Sequence, residues 1–457
     1  MPPSTRGWPP CRWRWHTRAW RRQPRWQRPC CRLPAAPGSA RQRLTLRLEQ
    51  ANVALAAQDL ATLQVASRAA LQEPTTDPQL ALRAQALHAT ALVYDGSHAQ
   101  ALRVVQQVRQ GLTAIANARL AAELEGHLAM VFNVCGRTRD CVQALQRQLQ
   151  HAHAAGDPEQ EATALASMAS QHHNLGDCEE ALNTAQQAAA LYRRLGSAGN
   201  AFANNLNLSQ ALLSLNQYGA ARAVLDDAVG YCQREAASTE LRQIVAEARA
   251  HLWLRLGNPK AALQELASAP APTAPRRRIQ HLLLQAQAAQ LQDDAETAGR
   301  CWAAVQPLLV GAGDTLMILS ARAVASAALP AAAALQQLQA VLQAATHAEF
   351  AAARAHALMA RARLNVKLGQ PAAALQDAQQ LWALRKPARH LLLDEGLLCA
   401  AVCEVADACG DAPWAQQVRQ QAQQLFVQAA LPHVPAAELD GWRAHALRRS
   451  LWVDVAR

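Results

Sequence analysis

The stretch ATALASMASQHHNLGDCEEALNTAQQAAALYRRL, residues 162–195, decides how the rest of this chain is interpreted. It carries two apolar patterns with a period of about 3.6 residues, separated by a Gly-Asp turn. Gly176 supplies the backbone freedom that ends the first helix. The stretch therefore predicts a hairpin of two short amphipathic helices, with apolar positions Leu165, Met168, Ala169 and His172 in the first helix and Ala181, Leu182, Ala185, Ala188 and Tyr192 in the second.

The same turn recurs along the chain at intervals of about forty residues, which is the signature of a repeat array. A small or apolar residue follows five positions after each turn, as Ala181 follows Gly176. Small residues at these positions let helix backbones approach closely. The positions that we align with Gly176 are Gln58, Gly96, Gly136, Asn216, Gly257, Asp293, Leu329, Gly369 and Gly410, of which Gln58 and Leu329 fit the pattern least well.

The repeat resembles the tetratricopeptide repeat, and the residues that carry this resemblance are Leu175, Gly176, Asp177, Ala181 and Ala188. Its period of about 40 residues exceeds the 34 residues of the tetratricopeptide repeat. In this it is similar to the repeat arrays of large bacterial signalling regulators, including LuxR-type activators with an ATP-binding domain. The resemblance implies an all-α fold, a right-handed superhelical solenoid of about ten antiparallel helical hairpins over residues 44–430. A C-terminal capping helix is expected within residues 431–457, with Leu439, Trp442 and Ala446 on its apolar side.

One interruption of the array is expected at residues 268–278, SAPAPTAPRRR. Pro270, Pro272 and Pro275 are expected to forbid helix there, and three arginines follow them. The interruption is either a long loop between repeats, which we favour, or a boundary between two sub-arrays.

Residues 1–43 are expected to be disordered, because closely spaced prolines interrupt any helical pattern. This Arg/Trp/Pro-rich segment has three interpretations. Its tryptophans, interleaved with arginine, could stack on bases or insert at an anionic membrane surface. It could instead come from a misplaced start or a shifted reading frame, or be an unstructured tail. The tryptophans are Trp8, Trp13, Trp15, Trp20 and Trp26.

The net charge of +11 is not a property of the repeat region. Residues 1–48 hold twelve arginines and no Asp, Glu or Lys, so basic and acidic residues nearly balance from Glu49 onward. The charge of the array therefore does not predict binding of nucleic acid. The eleven cysteines are scattered among apolar positions, which indicates reduced thiols and a cytoplasmic protein. No signal sequence and no membrane span are expected.

No motif for catalysis, cofactor binding or metal binding is recognisable, so we predict neither an enzyme nor a cofactor. A phosphate-binding Gly-rich loop ending in Lys-Ser or Lys-Thr is absent from the sequence. The pairs His151/His153 and His172/His173 lack the i, i+4 spacing that places two imidazoles on one helix face. Cys399 and Cys403 do have that spacing, but they fall on a small-residue stripe and are expected to be packed in the core.

A binding groove is the functional site that the resemblance implies, because the first helix of each tetratricopeptide hairpin lines a concave surface. Polar side chains on that surface suit an extended peptide or a partner helix, although a solvated helix face is polar in any case. We expect that replacing His173 and Asn174 with alanine removes an anchor and disturbs packing little. The predicted groove residues are Tyr94, Asn133, His173, Asn174, Gln210, His251, Arg255, Arg363 and Lys367, with Glu123, Glu247 and Glu404 among them.

The leading functional hypothesis is a non-catalytic scaffold or sensory module of a bacterial regulatory system, which binds a protein or peptide. The alternative is a truncated transcription regulator of the LuxR type, lacking its upstream effector module. Fold-level resemblance specifies the architecture and leaves the partner open.

Overall fold

The chain folds into α-helices joined by short turns. The computed structural model describes residues 39–57, 59–235 and 237–444. Within these ranges there is no β-strand, only a single β-bridge between His390 and Leu393. The first ten helices are α1 (Ala40–Ala57), α2 (Leu60–Gln72), α3 (Pro78–Tyr94), α4 (His98–Leu112), α5 (Ala118–Val134), α6 (Thr138–Ala154), α7 (Pro158–Leu175), α8 (Cys178–Arg194), α9 (Ala198–Ser214) and α10 (Tyr218–Arg234). The next ten are α11 (Thr239–Arg255), α12 (Pro259–Ala267), α13 (Pro275–Gln290), α14 (Ala295–Val305), α15 (Leu316–Ala325), α16 (Ala331–His347), α17 (Ala351–Lys367), α18 (Pro371–Ala383), α19 (Glu395–Ala408) and α20 (Ala412–Ala422).

These twenty helices follow one another as ten pairs, from α1/α2 to α19/α20, as the repeat pattern predicts. The turn between the helices of a pair needs a left-handed residue, which glycine adopts without a steric cost. Asn216 and Asp293 fill the same role with φ of 60° and 57°. Six aligned glycines have positive φ: Gly96, Gly136, Gly176, Gly257, Gly369 and Gly410.

Two of the aligned positions do not show this conformation. Leu329 has φ of −100° in extended backbone, after a 3₁₀ turn at Ser326–Ala328, so its alignment with Gly176 is wrong. Gln58 lies outside the described residues. Both positions lack glycine, asparagine and aspartate, the residue types that tolerate left-handed backbone.

The interruption expected at residues 268–278 is a loop of residues 268–274 between α12 and α13. Pro275 is not part of it, because proline is accepted in the first turn of a helix, where its missing N–H has no partner to lose. The three arginines that follow also belong to α13. The expectation that Pro275 forbids helix is therefore wrong.

The C-terminal part of the described chain contains a π-helical turn at Gln423–Val427, short helix α21 (Gln428–Ala430) and α22 (Leu439–Ala444). Two 3₁₀ turns, Leu431–His433 and Ala436–Glu438, join α21 to α22. The Trp442 side chain is fully buried, and its ring centroid lies 6.2 Å from that of Phe426. The expected apolar position at Ala446 and the expected disorder of residues 1–38 lie outside the described residues, whereas α1 already begins at Ala40.

The chain divides into two compact units. Unit 1 is Met1–Gln171 with Thr184–Asn204, and unit 2 is His172–Asn183 with Asn205–Arg457. Within each unit, the first helix of one hairpin packs on the first helix of the next: α1 on α3 and α3 on α5 in unit 1, and the series α11, α13, α15, α17 and α19 in unit 2. We call the surface formed by these helices, together with residues 172–175 at the end of α7 in unit 2, the first-helix face. No helix among the described residues has the length and apolar character needed to cross a membrane.

Candidate functional site

A segment of the chain itself lies on the first-helix face of unit 2. This inserted segment, Pro387–Asp394, forms the last part of the connection between α18 and α19 and has the sequence PARHLLLD. His390, Leu391 and Leu393 are buried, which shows that the segment packs against the protein. Main-chain atoms of the segment make most of its polar contacts with Arg255, His173 and Cys178.

Arg255, at the end of α11, binds the inserted segment through its backbone. Its Nη2 donates to the carbonyl oxygens of His390 at 3.2 Å, Leu391 at 3.0 Å and Leu393 at 2.7 Å. Its Nη1 lies 3.3 Å from the carboxylate of Asp394. The side chains of both partners are almost fully buried, at 4% and 6% exposure. Such a pair is costly to break, because either charge alone would remain in the interior.

His173, near the end of α7, contacts the same segment. Its Nε2 accepts a hydrogen bond from the Leu391 N–H at 3.3 Å and lies 2.9 Å from the Ser214 hydroxyl. The imidazole of His390 stacks beside it with the ring centroids 4.1 Å apart. Because Nε2 accepts, the proton of neutral His173 resides on Nδ1.

The start of the segment is fixed against the turn between α7 and α8. The Cys178 thiol donates to the carbonyl oxygen of Arg389 at 3.3 Å, and the Arg389 guanidinium reaches Glu179 at 3.2 Å. A Cβ atom on Gly176 would overlap the carbonyl oxygen of Pro387. Gly176 is therefore required here for close approach as well as for its φ of 85°.

Four imidazoles, of His173, His251, His356 and His390, surround this contact. Burial, with a smaller contribution from the Arg255 charge, lowers the pKa of His173 and of His251 to about 3. Burial likewise lowers the pKa of His356 to about 4 and that of His390 well below its ordinary value. All four are therefore neutral at physiological pH. No group of His, Cys, Asp or Glu among the described residues has the arrangement needed to hold a metal ion.

A cavity of about 420 Å³ lies beside the inserted segment, on the same face of unit 2. This volume is within the range of ordinary ligand sites. Side chains of α11, α13, α14, α15 and α17 line it together with Leu392 and Asp394 of the segment. The lining is largely apolar, and its polar members include His251, Gln280, Gln287, Gln290, Trp302, Ser320, Arg363 and Lys367.

The glutamates expected on the groove join neighbouring helices of the face. Glu123 of α5 binds Arg83 of α3 at 2.9 Å in unit 1. In unit 2, Glu247 of α11 binds Arg277 of α13 at 3.0 Å, and Glu404 of α19 binds Arg363 of α17 at 2.7 Å. Each ion pair therefore links the first helices of successive hairpins.

The predicted groove residues have different environments. In unit 1, Tyr94 packs partly buried against the core, and exposed Asn133 accepts a hydrogen bond from Gln171 at 3.2 Å. In unit 2, Asn174 and Gln210 are half-buried. His173, His251 and Arg255 are buried near the inserted segment, whereas Arg363 and Lys367 line the cavity and are accessible.

Partner binding by these residues stays a prediction, but one expectation about them is wrong. Replacing His173 cannot leave packing undisturbed, because it is 3% exposed and bonded to Ser214 and Leu391. Sequence reasoning also missed the inserted segment and the cavity residues Trp302 and Ser320. The repeat spacing gave no signal for the segment, because Gly369 and Gly410 are 41 residues apart, close to the spacing of the other repeats.

Comparison with known proteins identifies the fold of this chain. No protein-family model matches the sequence, and no curated protein matches it significantly. Among solved structures, a Rap protein complexed with competence and sporulation factor is similar with a TM-score of 0.59 and 11% identity, covering 76% of this chain and 98% of that one. The apo form of the quorum sensor NprR from B. thuringiensis is similar with a TM-score of 0.51 and 12% identity, covering 76% and 99%.

These likenesses and the ten helical pairs of the described residues define the fold: an all-α array of helical repeats of the tetratricopeptide type. The predicted fold class is thereby confirmed. At this level of identity the two structures establish architecture alone.

Proposed function

We propose that this chain is a non-catalytic interaction module of a bacterial regulatory system, located in the cytoplasm. Its first-helix face in unit 2 binds an extended segment of a protein or peptide partner. Two similar structures belong to signalling proteins, one complexed with a competence and sporulation factor and one a quorum sensor. Their likeness supports a sensory role here without identifying the partner.

The observation that carries the proposal is the way in which the face holds the inserted segment. Arg255 and His173 recognise carbonyl and N–H groups of the main chain, so these contacts do not depend on the side chains of the segment. Main-chain hydrogen bonds combined with apolar side-chain packing are the general means by which proteins bind extended peptides. The face therefore has the chemistry of a peptide receptor.

A synthetic peptide with the sequence KPARHLLLDE, which spans the inserted segment, tests the proposal. In the full chain, Pro387–Leu393 is replaced by a Gly/Ser linker of equal length, and Asp394 is kept because it caps α19. The labelled peptide should bind this opened variant, measured by fluorescence anisotropy, and should bind the parent far more weakly because its own segment covers the face.

Two controls separate recognition from non-specific adhesion. A scrambled peptide of the same composition should not bind the opened variant, and Arg255→Met in that variant should weaken binding of the correct peptide. Circular dichroism must show parental helix content in each variant. The proposal is contradicted if the opened variant has full helix content but does not bind the peptide.

A further inference from the structure

The cavity of unit 2 contains polar groups that the protein leaves unsatisfied. Among the described residues, no hydrogen-bond partner reaches Nε2 of His251, Oγ of Ser320 or Nε1 of Trp302, although all three atoms are buried. His251 and Ser320 are 6% and 3% exposed. A buried polar group without a partner destabilises the folded state. The residues that carry these atoms line one cavity, and a ligand bound there in contact with the atoms would satisfy all three.

The two ends of the cavity differ in exposure and charge. Among its lining residues, His251 and Ser320 are buried and Trp302 is half-buried, and we call this group the inner end. Arg363 and Lys367 form its mouth, because both are accessible. Arg363 is already paired with Glu404, so Lys367 supplies the net positive charge. Leucine and methionine side chains make up much of the remaining lining.

We propose that this cavity binds an apolar carboxylate that carries a second hydrogen-bonding group at its far end. The carboxylate lies at the mouth, the apolar body fills the middle, and the second group reaches the inner end. Two sources supply this chemistry: a free hydroxy fatty acid, or the C-terminus of an apolar peptide with its amide groups. The inference goes beyond partner binding, because a free acid could occupy the cavity whether or not the covered surface binds a peptide.

Calorimetric titration of the full chain with ω-hydroxydecanoate and with decanoate tests the inner end. The hydroxy acid should bind roughly 3–10 times more tightly, which is the effect of one satisfied neutral hydrogen bond. Ser320→Ala, or Trp302→Phe as a second variant, should reduce this preference and leave decanoate affinity nearly unchanged. Ser326→Ala is the matched control, because the Ser326 hydroxyl already donates to the Ala323 carbonyl.

Changes in the charge of the protein and of the ligand test the mouth of the cavity. Lys367→Met should weaken binding of both acids several-fold, whereas Lys260→Met, a lysine of α12 outside the cavity lining, should not. Decanol should bind more weakly than decanoate, and added salt should reduce the difference.

A peptide ending in Leu-Leu, with a free carboxylate or as its amide, distinguishes the two sources. Preference for the free-carboxylate peptide over decanoate supports a peptide terminus as the ligand, and the reverse supports a free acid. The proposal is overturned if neither carboxylate binds, or if decanol binds as tightly as decanoate. An unchanged hydroxyl preference in both inner-end variants would also overturn it.

Discussion

The first-helix face of unit 2 has two parts whose polar residues have different environments. In the covered part, Arg255 and His173 are buried and bonded to the inserted segment. In the open part, the cavity holds buried polar atoms with no partner among the described residues and an accessible cationic mouth. If the proposed ligand binds, polar residues on one repeat face serve as internal joints in one part and as binding groups in the other. Substitutions should therefore reduce stability in the covered part and change affinity in the open part.

The largest expected effect is from Arg255→Met in the covered part. It leaves the Asp394 carboxylate buried without its guanidinium and removes three hydrogen bonds to main-chain carbonyls. The free energy of unfolding should fall by about 3–5 kcal/mol, as for other broken buried pairs. Urea denaturation measures this change, and hydrogen exchange should show faster exchange of the Leu391 amide.

Arg300→Met is the control for that substitution. Arg300 pairs with Glu296 one turn away on α14, and both side chains are mostly exposed, at 67% and 81%. Its removal should change stability by less than about 1 kcal/mol. Equal losses in the two variants would mean that the inserted segment is not held by Arg255.

A second test uses two glycines with nearly the same backbone conformation. Gly176 has φ of 85° and Gly410 has φ of 81°, so alanine at either position should cost about 1–2 kcal/mol in backbone strain. A Cβ on Gly176 also meets Pro387 of the segment, whereas a Cβ on Gly410 meets no atom of the described chain within 4 Å. Gly176→Ala should therefore lower the melting temperature clearly more than Gly410→Ala. Equal decreases would argue against close contact between the segment and the turn.

The third test is the pH dependence of stability. Each of the four buried histidines has a folded-state pKa below the unfolded value of about 6.5. At a pH between the folded-state and unfolded-state pKa values, the unfolded chain binds more protons than the folded chain. The stability that is present above about pH 6.5 is therefore lost as the pH falls. His356, with a pKa of about 4, should account for about 2 kcal/mol of that loss by about pH 5.

Comparing the parent with His356→Gln isolates this contribution. Burial raises the pKa of Glu247 to about 7 and also raises that of Glu395. Protonation of these two carboxyls therefore stabilises the folded protein as the pH falls, which opposes the effect of the histidines. Their effect is common to both proteins and cancels in the difference. Between neutral and acidic pH, the urea midpoint of unfolding should fall less for the His356→Gln variant than for the parent. Parallel curves would show that His356 titrates normally in the folded protein.

The sequence could predict the repeat because its determinants are local. Gly136 and Gly257 mark turns through their own backbone conformation, and the apolar stripes lie within single helices. It could also place His251 and Arg255 on one helix face by periodicity. Their partner could not be predicted, because the inserted segment lies more than 130 residues away and has no period of its own. Ser320 was missed because the turn alignment fails at Leu329, in the same hairpin.

The smallest change in stability is expected from Glu404→Gln in the open part. Glu404 is 60% exposed in its pair with Arg363, and such pairs contribute less than about 1 kcal/mol. The same substitution removes the negative charge that neutralises Arg363 at the mouth of the cavity, so decanoate should bind several-fold more tightly. Calorimetry and urea denaturation on one protein sample would measure both effects. A gain in affinity with nearly unchanged stability is the opposite of the result expected for Arg255→Met. If Glu404→Gln instead lowers stability as much as Arg255→Met does, the open part is also a structural joint, and the distinction between the two parts fails.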